Sequence, residues 1–150
     1  SAAQKLNNSD LEKYDLQKPE IAQVASEIAL IPEVRAALLE FQRNFSKKLP
    51  GAVLDGRDIG TVVCPEAKVK IFLTASLVSR ANRRYFELVK KNAQINLETI
   101  LEQIRQRDER DQKRKSSPLV AATDAKVIDT SELSIKEAVD KVFAYVQTKI

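Results

Sequence analysis

The sequence has no histidine, no methionine and no tryptophan, a single cysteine and only three glycines in 150 residues. Without histidine, serine–histidine triads and imidazole-ligated metals are excluded. Cys64 is alone and cannot form an internal disulfide, so a reducing, cytoplasmic setting is expected. No apolar run approaches the roughly 20 residues of a membrane span, and the opening residues do not read as a signal peptide. The chain starts Ser1-Ala2-Ala3 without an initiator methionine, and the expectation is that its natural start has been lost. Charge of one sign is also missing. Lys and Arg number 25 against 21 Asp and Glu, a net +4 with acids interleaved throughout, which argues against a nucleic-acid-binding tail. With 43% apolar residues, a chain of this length can bury one reasonable core, whereas two full domains would be crowded.

Two of the three glycines fall in one stretch, Leu54-Asp55-Gly56-Arg57-Asp58-Ile59-Gly60-Thr61, preceded by Ala52-Val53. The apolar run reads as a buried parallel strand that breaks on Gly56, which would put Arg57 and Asp58 at the carboxyl edge of a sheet, where open α/β folds bind ligands. Arg57 offers a planar fork suited to phosphate or carboxylate. Asp58 is an acceptor for an amine, such as the exocyclic amine of a base. Gly56 and Gly60 allow close backbone approaches. An ordinary strand-end turn with a solvated ion pair fits the same residues, because short glycine motifs arise by chance.

The remaining elements alternate. Ala2 to Leu6 reads as the tail of a helix and Asn7 to Lys18 as a polar stretch. Pro19 opens a helix through Ala29 with the stripe Ile21, Val24, Ala25 and Ile28. Pro32 starts another, through about Phe45, turning Val34, Leu38, Leu39 and Phe41 or Phe45 inward. Strands are predicted at Val69–Leu73 and Ala125–Asp129, with helices from about Ser76 to Lys91 and from Leu97 to about Lys113 between them. Lys113 to Ser117 is the most polar segment and is expected to be the most mobile. Ser134 and Glu137 make a capping box for a last helix to Lys149. Strands alternating with helices indicate an α/β fold with a parallel sheet.

Two helical faces are ambiguous. Leu97, Ile100, Leu101 and Ile104 form an apolar face that continues as Arg107, Asp111 and Arg114, flanked by Asp108 and Arg110. Such a face has either passed the edge of the protein or lines a cleft for an anion. By themselves, Arg105–Glu109 and Arg107–Asp111 read first as solvated i,i+4 pairs worth only tenths of a kcal/mol. Leu77, Ala81, Tyr85 and Leu88 take the inner face of the preceding helix and leave Arg80, Arg83 and Arg84 together on another. Polyphosphate would relieve their mutual repulsion, and so would solvent and salt.

Taken together, these residues resemble the bacterial cytidylate kinase family. The similarity is carried by Asp55 to Val63, Val69 to Leu73, Arg80 to Arg84, Arg107 to Asp111 with Arg114, and Pro118-Leu119. Ser26 and Arg35 fall at the family's spacing too, and the match runs from about Pro19 onward. The resemblance implies a P-loop nucleoside-monophosphate-kinase-like parallel sheet flanked by helices, and transfer of the γ-phosphoryl of ATP, with Mg²⁺, to CMP or dCMP. Carried over by position, Ser26, Arg35 and Asp58 would read cytosine. Arg57 and Arg114 would hold the CMP phosphate, Arg107 and Asp111 would reach the sugar, and Arg83 and Arg84 would serve the ATP phosphates or the transferring group. Arg57, Arg83, Arg84 and Arg114 are thus the expected catalytic cations, with no metal ligand among the side chains. Residues 1–150 would be one kinase-like domain, with CMP-binding helices to about 50. The core would comprise 51–75 and 118–150, and the lid with its flanking helices about 76–117. The implied partners are the nucleotides alone, with no nucleic acid or membrane, and the complete enzyme is expected to be monomeric.

One departure is large. No G-x-x-x-x-G-K-[ST] occurs in the sequence, and Lys47-Lys48 lacks the glycines. The chain resembles the acceptor-binding and lid portions of the enzyme without the cradle for ATP, so it is expected to be incomplete at its N-terminus and inactive by itself. By analogy, the absent strand would lie between those of Val53 and Val69. The polar stretch before Pro19 is too short for the small β-domain inserted in some members. A non-catalytic basic module for RNA or a protein partner is the alternative, distinguished by steep salt dependence and indifference to CMP.

Overall fold

A computed structural model describes residues 19–29, 31–91, 94–114 and 117–150, apart from the side chains at 19, 20, 22, 23 and 26. The helix tail expected at Ala2–Leu6 and the polar stretch at Asn7–Lys18 lie outside the described residues. Among the described residues, five α-helices and two strands follow in the order α1 (Pro19–Ile28), α2 (Pro32–Ser46), β1 (Ile71–Thr74), α3 (Leu77–Lys90), α4 (Leu97–Lys113), β2 (Lys126–Asp129) and α5 (Ile135–Gln147). A single π-helical turn, Ile59–Val63, lies between α2 and β1.

Local chemistry accounts for the helix starts. Proline at the first position, with its fixed φ and missing donor, opens α1 and α2. Ser76 accepts from the amide of Ser79 at 3.1 Å, and Asn96 accepts from that of Thr99 at 2.7 Å. The capping box at α5 is formed: the amide of Glu137 donates to Ser134 Oγ at 3.2 Å, and the amide of Ser134 donates to Glu137 Oε2 at 2.8 Å. The Ser134 hydroxyl, donating to Glu137 Oε2 at 2.6 Å, and after it the Ser134 amide hold the Glu137 carboxyl below its ordinary pKa.

The strands are parallel, as the alternation predicts, with Ile71 beside Lys126 and Thr74 beside Asp129. Among the described residues the sheet has only these two strands, and its apolar Leu73 and Val127 are more than half exposed. The main core lies between α3 and α4. There Ala81, Leu88 and Ile100 are buried, and Tyr85, Ile95, Leu97, Leu101 and Ile104 pack around them. These are the inner faces that helical spacing assigned, and burying each large side chain contributes roughly 1.5–3 kcal/mol.

Three expectations are corrected. Residues 52–54 form no strand, and Val53 is 96% exposed. A strand requires a ladder partner, and no described strand pairs with residues 52–54, since the described sheet is β1 and β2 alone. The α1 stripe is not buried either: Ile21, Val24 and Ile28 stay exposed, because no described element packs over them. Of the two phenylalanines offered for α2, Phe45 is the more buried and Phe41 is exposed. Gly56 keeps its role in a close approach, since a Cβ there would lie 2.9 Å from the Ile59 side chain. Gly60 does not, as its nearest neighbour would be an ordinary 3.5 Å away. Within the polar segment before Pro118, residues 115 and 116 lie outside the described residues, and Ser117 has a left-handed φ of 54°.

Candidate functional site

The π-helical turn supplies the first part of the site. Asp58 precedes it, and the Asp58 carbonyl accepts from the amides of Thr61, Val62 and Val63 at 3.3, 2.8 and 3.2 Å. That gathering of donors fixes the Asp58 backbone at the head of the turn. Its side chain is buried and pairs with Arg35, which projects from the first turns of α2. Arg35 also donates from Nη1 to the carbonyl of Ala29 at 3.4 Å, tying α2 to the end of α1.

The second part comes from α4. Asp111 is only 5% exposed, and three guanidinium groups converge on its carboxylate. Arg57 Nε and Arg114 Nη2 each approach to 3.0 Å, and Arg107 Nε lies at 3.9 Å. Three guanidinium groups around one carboxylate leave a surplus of two positive charges. Arg107 Nε and Arg114 Nη2 are buried with no aligned hydrogen-bond partner. Burial first, and the nearby Arg57 cation next, hold the Arg107 guanidinium below its ordinary pKa. Such a cluster is short of negative charge and attracts an anion.

This arrangement distinguishes the two pairs on the α4 face. Arg105 and Glu109, at 3.3 Å, are both half exposed and form the solvated pair. Arg107 and Asp111 have the same spacing, but Asp111 is buried against Arg57 and Arg114, which lie outside the helix.

Arg35, Arg57, Asp58 and Arg114 line one cavity of about 420 Å³, together with Ala25 and Ile28 of α1. Asp111 and Arg107 adjoin it through Arg57 and Arg114. Ser26 lies in α1 beside Ala25, but its side chain is outside the described ones. The cavity therefore carries a neutral Arg–Asp pair at one part of its wall and a cationic surplus at another. It can hold a ligand that is amphoteric at one end and anionic at the other.

Arg83 and Arg84 do not line this cavity. Arg83 donates to Thr130 Oγ1 at 3.2 Å, to the Leu133 carbonyl at 3.3 Å and to the Thr130 carbonyl, beyond the end of β2. Arg84 Nη1 donates to Glu87 Oε2 at 2.8 Å. The three α3 arginines thus separate, since Arg80 pairs with Asp108 of α4. The crowding suggested by their spacing is relieved by partners up to 50 residues away.

Sequence reasoning overlooked Arg43, whose donors go to the carbonyls of Val62 and Val63, and the ion pairs Arg110–Glu27 at 3.8 Å and Lys70–Asp124 at 2.7 Å. Each partner lies at least 19 residues from its mate, so no local pattern announces it.

A cavity between α1, α2 and the π-helical turn, walled in part by surplus guanidinium charge, suits a small anionic ligand. Residues 1–148 match the family model described as cytidylate kinase. The chain is 49% identical over 149 residues to the cytidylate kinase of Cereibacter sphaeroides (strain KD131), covering 99% of this chain and 72% of that protein. It is 55% identical over 140 residues to that of Paramagnetospirillum magneticum, covering 91% and 66%. With that of Bartonella tribocorum the identity is 51% over 134 residues, covering 89% and 62%. The chain belongs to the cytidylate kinase family, and its fold is that of the P-loop nucleoside-monophosphate kinases.

Proposed function

We propose that the cavity is the acceptor site of a kinase that transfers the γ-phosphoryl of ATP to CMP or dCMP. The observation that carries this reading is the buried Asp111 under Arg57, Arg107 and Arg114, beside the Arg35–Asp58 pair in one cleft. Cytosine offers an exocyclic amine for Asp58 to accept, and acceptor atoms that Arg35 can satisfy, with Ser26 nearby on α1. Arg57 and Arg114 take the CMP phosphate, whose two negative charges match the surplus. Arg107 and Asp111 reach the sugar hydroxyls. The helices up to about residue 50 then form the CMP-binding part, residues 76–117 the lid and its flanks, and the remainder the core.

In the reaction an oxygen of the CMP phosphate bonds to the γ-phosphorus as the bond from that phosphorus to the ADP oxygen breaks. The nucleophile is already an anion, so no side chain needs to be one. Catalysis is then positioning and charge neutralisation, which suits a site without histidine. Arg57 and Arg114 are the catalytic cations on the acceptor side. Arg83 and Arg84 serve the ATP phosphates by exchanging their present partners for phosphate oxygens. Among the described residues no group of three acidic, cysteine or histidine side chains converges. Mg²⁺ would enter with the phosphates of ATP and help neutralise their charge. The enzyme acts on free nucleotides, as a cytoplasmic monomer. No described helix is long and apolar enough to cross a membrane.

The test is a coupled assay of ADP formation by the full-length protein with CMP, dCMP, UMP and AMP. Preferential turnover of CMP or dCMP is expected. Indifference to nucleotide, with RNA binding that falls steeply with salt, would instead support the basic-module reading.

A further inference from the structure

We infer that Arg43 is a positioning residue for base selection: it sets Asp58 against the base by clamping the far end of the π-helical turn to α2. This rests on the acceptor-site reading above. A five-residue π turn is a poor structure to stand alone, because it encloses few hydrogen bonds and leaves its last carbonyls without intrahelical donors. Here the head of the turn is held by the Asp58 carbonyl, which takes three amides, and Cys64 donates back to the Ile59 carbonyl at 2.7 Å. Arg43 serves two of the turn's remaining carbonyls, those of Val62 and Val63. Arg43 Nη2 donates to Val62 at 2.9 Å and Nε donates to Val63 at 3.1 Å. A cation at this end of a helical turn satisfies orphan acceptors and meets the negative pole of the peptide dipoles.

The consequence for the site comes from where Arg43 stands. Arg35 and Arg43 are both on α2, eight residues and about 12 Å apart along its axis. Arg35 grips the turn at its head, through Asp58, and Arg43 grips it at its tail. With both grips in place the turn has one position along α2, and the Asp58 carboxylate has one height relative to the cavity floor. At the tail grip, the Val63 side chain is buried, 3% exposed. With the tail released, the Arg35–Asp58 pair is the ion pair left to tie the turn to α2, and the orientation of the Asp58 carboxylate then depends on a turn held at one end. Of the Asp111 cluster, Arg107, Asp111 and Arg114 belong to α4 and its C-terminal cap, and Arg57 alone lies on the segment that leads into the turn; Arg43 holds none of them. Selection of the base should therefore suffer more than capture of the phosphate.

The experiment uses full-length protein and measures kcat and KM for CMP and UMP in Arg43→Met, Arg43→Lys and Asp58→Ala. Methionine keeps an unbranched apolar stem and removes the donors. In Arg43→Met the KM for CMP should rise at least fivefold and kcat change less. The CMP-to-UMP ratio of kcat/KM should fall at least fivefold, towards that of Asp58→Ala. Lysine, which can serve one carbonyl but not both with a fork, should give an intermediate ratio. If Arg43→Met lowers both nucleotides equally, or keeps the wild-type ratio within twofold, Arg43 is only structural and the inference is wrong. If Arg43→Met does not fold, Arg43→Lys decides: an intermediate ratio supports the inference and a wild-type ratio overturns it. Asp58→Ala separates the two levels. Loss of selectivity there but not at Arg43 rejects this inference alone, whereas unchanged selectivity in Asp58→Ala rejects the reading of the site.

Discussion

Arg80 on α3 and Asp108 on α4 form a two-pronged pair, with Nη1 donating to Oδ1 at 2.9 Å and Nη2 to Oδ2 at 2.6 Å. Arg80 also donates from Nε to the Ala75 carbonyl at 3.0 Å, just past the end of β1. One side chain thereby fastens the sheet edge to the helix that carries Arg107 and Asp111. The Ala81–Leu88–Ile100 core joins the same two helices, so an apolar contact and a charged one both hold α3 to α4.

That pair is the first prediction. Both side chains are about a third exposed, and its paired geometry favours a real but modest contribution. In a double-mutant cycle of Arg80→Gln and Asp108→Asn, denaturant unfolding should give a coupling of about 1 kcal/mol. A coupling near zero would mean that water replaces the pair without cost.

Base selection is the second. Asp58→Ala should raise the KM for CMP and narrow its advantage over UMP, because the cytosine amine loses its acceptor. Steady-state kinetics with both nucleotides check this. Equal losses for the two would assign Asp58 to holding the turn and nothing more.

The third compares two pairs of identical spacing on one helix. Arg107→Ala and Asp111→Ala should lower kcat/KM for CMP far more than Arg105→Ala and Glu109→Ala. Arg105 and Glu109 sit in solvent, whereas Asp111 is enclosed by three guanidinium groups. Should Arg107→Ala stay within about twofold of wild type, a change under ~0.5 kcal/mol, the cleft reading fails for that residue.

A fourth prediction concerns the polypeptide Ser1–Ile150 by itself. Its sequence has no G-x-x-x-x-G-K-[ST], and none of its arginines replaces a nest of backbone donors around a polyphosphate. Purified material of that intact mass should show no CMP-dependent ADP formation at an enzymatic rate. Robust turnover, with contaminating kinases excluded, would locate an ATP cradle within these residues.

Helix starts, the parallel pairing of the two strands and the inner faces of α3 and α4 were legible in the sequence. The helix starts and faces depend on residues within one or two turns of each other: Pro19 and Pro32 at first positions, Ser134 with Glu137, and Leu97, Ile100, Leu101 and Ile104 at helical spacing. The parallel pairing follows from strands alternating with helices along the chain. Asp58 and Arg57 stood out because glycines and opposite charges share one short stretch. Their setting did not: the segment before them reads as a strand by its apolar run, yet forms none for want of a ladder partner. The tertiary structure alone decided which charges matter. Spacing gave Arg105–Glu109 and Arg107–Asp111 the same weight, and only the arrival of Arg57 and Arg114 at Asp111 separates a buried cluster from a solvated pair. It alone found work for Arg43, whose acceptors lie some twenty residues away, and it dispersed Arg80, Arg83 and Arg84 to three different partners. Local backbone preference acts over a few residues and is written in their order. The worth of a charge depends on its surroundings in space, and packing brings those from distant parts of the chain.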